Sequence, residues 1–130
     1  MRALLPPGWP RPKGYSNGIS TSGRTIHTAG VIGWDAEERI VAPDLAGQLR
    51  QVLANTLAIL AEDGAGPEHV VRMTCYVTDL DEYRASLAEI GAVWRETMGR
   101  NFPAMAVVGV TGLVEPDSKI EIETIAMVPE

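Results

Sequence analysis

The sequence predicts a single α+β domain: a mixed sheet of five or six strands with two helices on one face. Three observations carry this. Residues 45–62 and 82–98 place apolar side chains every three to four positions, the period of an amphipathic helix. Short segments around them alternate apolar and polar residues, the period of a strand. Their order is strands, helix, strand, helix, two strands, with no internal repeat. At 130 residues and 45% hydrophobic, the chain suits one domain with its own core.

Each element has a local reason. Residues 1–13 carry Pro6, Pro7, Pro10 and Pro12 and read as an irregular arm that lies on the domain or frays, leaving 14–130 as the domain proper. Tyr15 to Ser20 and Thr25 to Val31 are short strands joined by a turn at Ser22-Gly23, and Arg39 to Ala42 is a weaker third. Asp44 is the N-cap of the first helix, whose stripe is Leu45, Leu49, Val52, Leu53, Leu57 and Leu60. Gly64 supplies a left-handed stop and Gly66-Pro67 a break. Val70 to Thr78 is a strand. Asp79 or Asp81 caps the second helix, with Tyr83, Leu87, Ile90, Trp94 and Met98 inward and Gly99 at its end. Ala104 to Thr111 and Lys119 to Val128 are the last strands.

Residues 104–110 are apolar on both strand faces, as in a strand buried on both sides. Two helices cover one face of the sheet and nothing in the chain remains for the other. A further copy of the chain is the economical cover, so a homo-oligomer is expected. The alternative is a monomer with one helix on each face.

The net charge of −6, with no run of Lys or Arg, argues against nucleic acid as a partner. One cysteine, Cys75, excludes an internal disulfide and fits a reducing compartment. No apolar run approaches the ~18 residues of a membrane span. The opening residues hold too short an apolar run for a signal peptide, so a cytoplasmic protein is expected. His27 and His69 are the only histidines, and no metal-ligand spacing occurs. His27 reads as a packed or hydrogen-bonded strand residue and His69 as a surface loop residue. Neither a glycine-rich phosphate loop nor a GxSxG elbow is present. Neither metal nor cofactor is expected. Cys75, alternating with Met73 and Val77, reads as core.

One segment draws attention to chemistry. In Lys119-Ile120-Glu121-Ile122-Glu123 the isoleucines point one way and the carboxylates the other. A carboxylate on a half-buried strand is solvated, paired or at work.

Several local sequences, in order, resemble the Rid/YjgF family of reactive-intermediate deaminases. They are Gly14-Tyr15-Ser16, Thr28-Ala29-Gly30, Gln51 to Asn55, Val70 to Thr74 leading to Val77-Thr78-Asp79, Asn101-Phe102-Pro103-Ala104, and Lys119 to Glu123. The resemblance implies a chorismate-mutase-like fold, a homotrimer, and small-molecule sites in the clefts between subunits. It implies hydrolysis of enamines or imines to a carbonyl compound and ammonia, with Glu121 as the acid/base carboxylate and Tyr15 lining the cleft. It also exposes departures. Met105 stands where the family's deaminases have the Arg that grips a substrate carboxylate, Ala29 replaces their Ser, and Leu87 replaces their Asn. Losing the charged partner of a bound carboxylate costs several kcal/mol, so small 2-imino acids should be poor substrates unless Arg72 or Arg100 substitutes. A cleft with Met105, Trp34 and Val107 suits a larger or less charged ligand. Trp34 either roofs that cleft or plugs a core edge. The competing function is a trimer that binds a small molecule without turning it over. The family's older labels, endoribonuclease and translation inhibitor, rank last on charge.

Overall fold

A computed structural model describes residues 1–130. Arg2–Ala3 (β1) pairs with Ile19–Ser20 (β2) in a small antiparallel ribbon. The main sheet holds Arg24–His27 (β3), Val70–Val77 (β4), Ala104–Gly109 (β5) and Ile120–Val128 (β6), in the order β3-β6-β4-β5. Its β3/β6 and β6/β4 pairs are antiparallel and β4/β5 is parallel, so the sheet is mixed as expected. It has four strands rather than five or six. The strand expected over Tyr15 to Ser20 shrinks to β2, which pairs with the arm, while Ser16 keeps a single parallel bridge to Ala104 at the start of β5. The weak strand at Arg39 to Ala42 reduces to a single pairing of Ile40 with Trp34.

The first helix, α1 (Leu45–Ala61), starts where Asp44 accepts a hydrogen bond from Gly47 N at 3.1 Å. It buries Leu45, Leu49, Val52, Leu53 and Leu60. Each such side chain contributes about 1.5–3 kcal/mol on leaving water. Gly64 (φ 75) and Gly99 (φ 64) take up left-handed backbone after the two helical regions.

The second helical region departs from the single helix expected over 82–98. It is two, α2 (Leu80–Ala85) and α3 (Leu87–Thr97), broken at Ser86. Asp79 is the cap, accepting from Glu82 N at 3.0 Å. Leu87, expected inward, opens α3 on the side of Tyr83, Ile90 and Trp94 and lines an open cavity with them, which leaves it 57% exposed, while Trp94 and Met98 are buried.

Both helical regions lie on one face of the sheet. Met73, Cys75, Val77, Ile120, Ile122 and Ala126 are buried beneath them. The opposite face carries Arg72, Thr74 and Tyr76 from β4 and Glu121, Glu123 and Ile125 from β6. On β5, Met105 and Val107 share the register of Met73 and Cys75 and face the helices. Ala104, Ala106 and Val108 lie on the open face, where Val108 is 41% exposed. Within one chain nothing covers this face.

Candidate functional site

Glu121 projects from the open face of β6, half-buried beside Gly30. After β3 the chain leaves the sheet and returns at Val31, which exchanges two backbone hydrogen bonds with Ile122. Thr28 holds the start of this excursion. Its backbone N donates to Thr124 O at 2.9 Å. Its Oγ1 accepts from Thr124 N at 3.0 Å. The excursion presses the bare Cα of Gly30 against the Glu121 carboxylate, and a Cβ there would collide with Oε2. Asn55 of α1 secures the next stretch, donating to Ile32 O and Trp34 O at 3.1 and 2.8 Å. An open hollow of about 950 Å³ results, walled by Ala29, Gly30, Trp34, Asn55, Val114 and Glu121. Trp34 is half-buried in this wall. Beside it, Asp35 accepts from Glu37 N and Arg39 N. Above all the bond from Arg39 N holds its carboxyl below the usual range.

Glu121 does not stand alone. Tyr76 lies opposite it in register, and its Oη donates to Glu123 Oε1 at 2.5 Å. That bond, with burial and the two carboxylates adding and Arg72 opposing, pushes the Tyr76 phenol upward.

A second cavity, about 490 Å³ and mostly apolar, lies on the helix side of the sheet. Its floor is Cys75, Met105, Val107 and Ile120, and α3 supplies Leu87, Ile90, Gly91 and Trp94. Tyr15, 42% exposed, stands at one end. The neighbouring Ser16 anchors Tyr15: its N donates to Pro103 O at 3.0 Å and its Oγ to Phe102 O at 2.5 Å. Phe102 stacks on Trp94, centroids 6.4 Å apart. Burial pushes the Cys75 thiol up to about 12, so at neutral pH it stays protonated and is no nucleophile.

The residues singled out from sequence therefore fall into two groups. Ala29, Trp34 and Glu121 share the hollow on the open side. Tyr15, Leu87, Met105 and Val107 share the cavity under the helices. Within one chain the sheet separates them, and a cleft joining Met105 with Trp34 does not form. Arg72 lines neither concavity: even positions of β4 face away from the helices. Arg100 lines neither as well. His27, expected to be packed or hydrogen-bonded, is exposed on the edge strand β3. No three His, Cys, Asp or Glu side chains converge as a metal site would require. Gly30, Asn55 and Arg95 were not singled out. The Thr28-Ala29-Gly30 and Gln51-to-Asn55 matches contained the first two, but no periodicity reveals a contact made across the fold.

The endoribonuclease L-PSP family model matches residues 10–128. A RutC family protein from Pyrococcus abyssi is 39% identical over 119 residues, covering 90% of this chain and 89% of that protein. A 2-iminobutanoate/2-iminopropanoate deaminase from Salmonella typhimurium is 35% identical over 113 residues, covering 87% and 86%. The crystal structure of a Rid-family protein of unknown function from Yersinia pestis superposes with a TM-score of 0.86 at 35% identity, covering 98% of each chain. Matched from its arm to its last strand, and with that fold, the chain belongs to the Rid/YjgF family, the group described by the endoribonuclease L-PSP model.

Proposed function

We propose that this protein is a hydrolytic deaminase of enamine or imine intermediates, working in clefts between subunits of a homotrimer. The observation that carries the reading is the division of the site. Glu121 with its Gly30-to-Trp34 wall lies on one surface, and the Tyr15 cavity lies on another. Each is open on one side, and the sheet face between β5 and β6 has no cover within the chain. Docking the hollow of one copy onto the cavity of the next makes one enclosed cleft from two halves.

The chemistry needs little else. An imine carbon accepts the oxygen of water, and Glu121 takes a proton from that water as the C–O bond forms. The nitrogen is protonated, the C–N bond breaks, ammonia leaves, and the carbonyl product remains. Glu121 ends as it began. The relative named 2-iminobutanoate/2-iminopropanoate deaminase supports this reaction class. The cytoplasm, where such intermediates arise and a free thiol persists, is the proposed location.

Ammonia release from 2-aminoacrylate and from bulkier imines, generated in situ, tests the proposal. Glu121→Ala should lower the rate by about 10²–10⁴-fold. An undiminished rate, or none above buffer for the unaltered protein, rejects catalysis. Met105, Ala29 and Leu87, apolar where the deaminases are polar, favour a second reading: a trimer that binds a small molecule without turnover. It requires a ligand that raises the melting temperature without being consumed. Cleavage of RNA, disfavoured by the net charge of −6, would need a single-site variant that abolishes it.

A further inference from the structure

The helix-side cavity has a property that its apolar floor conceals. Cys75, Met105, Val107 and Ile120 line its depth, but its lining includes two formal charges, Arg95 and Lys13, both positive and both exposed. Neither lies within ion-pair distance of any carboxylate. Arg24, Arg39, Arg50, Arg84 and Lys119 are each paired with acidic side chains, and of the six Lys and Arg that are not, only Arg95 and Lys13 line this cavity. Arg95 is also aimed. Its guanidinium runs back one turn of α3 and lies over Gly91, with Nη1 3.5 Å from where a Cβ would stand. Gly91 also lines the cavity and adds no side chain that would close it.

The lining favours an occupant with an apolar part: eleven of the fifteen residues around this half-open cavity are hydrophobic, as in sites that take apolar ligands. A three- or four-carbon acid would leave most of this apolar depth without contact, forfeiting dispersion and burial. A neutral hydrocarbon would fill the depth but leave the Arg95 fork without an acceptor. The shape and charge together call for an apolar body with one anionic end.

We propose that this cavity selects a 2-imino monocarboxylate bearing an aromatic or branched apolar side chain, with Arg95, assisted by Lys13, holding the carboxylate at the mouth. This rests on the deaminase reading for the imine itself. The balanced reaction joins the imino acid and water to give the 2-oxo acid and ammonia. Arg95 thereby takes over the anion-gripping role that Met105 cannot fill, from an α3 position not matched to the family motifs. A guanidinium at an open mouth also tolerates side chains of different length behind it.

The test is calorimetric titration of the full chain with phenylpyruvate, pyruvate and the neutral phenylacetone. Phenylpyruvate should bind at least ~10-fold more tightly than either of the others. Arg95→Gln should reduce phenylpyruvate affinity about 10-fold and leave phenylacetone unchanged. Lys13→Gln should do the same to a smaller degree. Both side chains are exposed, and an unchanged melting temperature checks the fold of each variant. Equal affinity for pyruvate and phenylpyruvate overturns the proposal. So does an Arg95→Gln variant that weakens phenylpyruvate and phenylacetone alike, or neither. The two readings fail separately. Tight phenylpyruvate binding without Glu121-dependent hydrolysis of 2-imino-3-phenylpropanoate sinks the deaminase and upholds the ligand class. Glu121-dependent hydrolysis with no preference for the phenyl group does the reverse.

Discussion

Glu121 owes its setting to a residue with no side chain. The carboxylate lies against the Gly30 backbone so closely that even a methyl group would displace it. Gly30→Ala should therefore lower kcat/KM for imine hydrolysis by about 10- to 100-fold, the cost of a misplaced catalytic group. Gly30 is exposed, so the melting temperature should hardly change. A fall in stability matching the fall in activity would mean that Gly30 serves the fold instead. Cys75 gives a prediction in pH. Burial raises its folded-state thiol to about 12 from an ordinary 9.0. Above pH 9 the unfolded chain therefore gives up a proton that the folded chain keeps. Stability must then fall as pH rises from 9 towards 12, by on the order of 1 kcal/mol per pH unit from this group. Urea melts of the unaltered protein and Cys75→Ala at pH 8 and pH 10 should show a shallower alkaline decline in the variant.

At the scale of elements, α1 joins fold and site. One side packs the core through Leu49, Val52 and Leu53, while Asn55 reaches out to hold the Ile32-to-Trp34 loop. Gln48, buried in the apolar stripe, ties three segments together. Its Nε2 donates to Ala42 O and Asp117 O at 3.0 and 3.1 Å. Its Oε1 accepts from Lys119 N at 2.7 Å, just before β6 and Glu121. Gln48→Leu should lose about 1–3 kcal/mol by leaving buried backbone groups unpaired, measured by urea unfolding. Asp44→Ala should cost about 1 kcal/mol through its cap alone. A Gln48 variant as stable as the Asp44 variant or more so would show water replacing the glutamine. Across the break at Ser86, Tyr83 of α2 and Leu87, Ile90 and Trp94 of α3 still line the same cavity, and Leu87 is exposed because that cavity is open.

At the scale of the whole molecule, the proposed cleft joins two concavities on opposite sides of a sheet and therefore requires a second copy of the chain. Complementation tests that requirement directly. Glu121→Ala disables the hollow, and Leu87→Glu puts a repelling charge on the cavity rim. Refolded together in equal amounts, the two inactive variants should form mixed trimers in which roughly one cleft in four has both halves intact. Ammonia release should then recover to about a quarter of the unaltered rate. No recovery from a confirmed mixed assembly would confine the site to one chain. On the open face, Ala106→Arg should leave the helix-side core untouched and yield monomers in analytical ultracentrifugation, without imine hydrolysis.

Much of this could be read from residue order alone. The period of Leu45 to Leu60 gave α1, Asp44 its start and Gly64 its end, because helix signals act within one or two turns of chain. The alternation at Lys119 to Glu123 marked Glu121 as the outward carboxylate, because strand geometry fixes which face each residue meets. The motif matches named the family. Contacts distant in sequence were beyond that reach. Nothing local announces that Ser86 interrupts a helix, that the Tyr15-to-Ser20 segment keeps only one bridge to the main sheet, or that Met105 and Trp34 lie on opposite sides of that sheet. Nor does any pattern show the Arg95 guanidinium folded over Gly91 at the mouth of an apolar cavity. Those arrangements depend on which sheet face packs against the helices, and only the assembled core decides that.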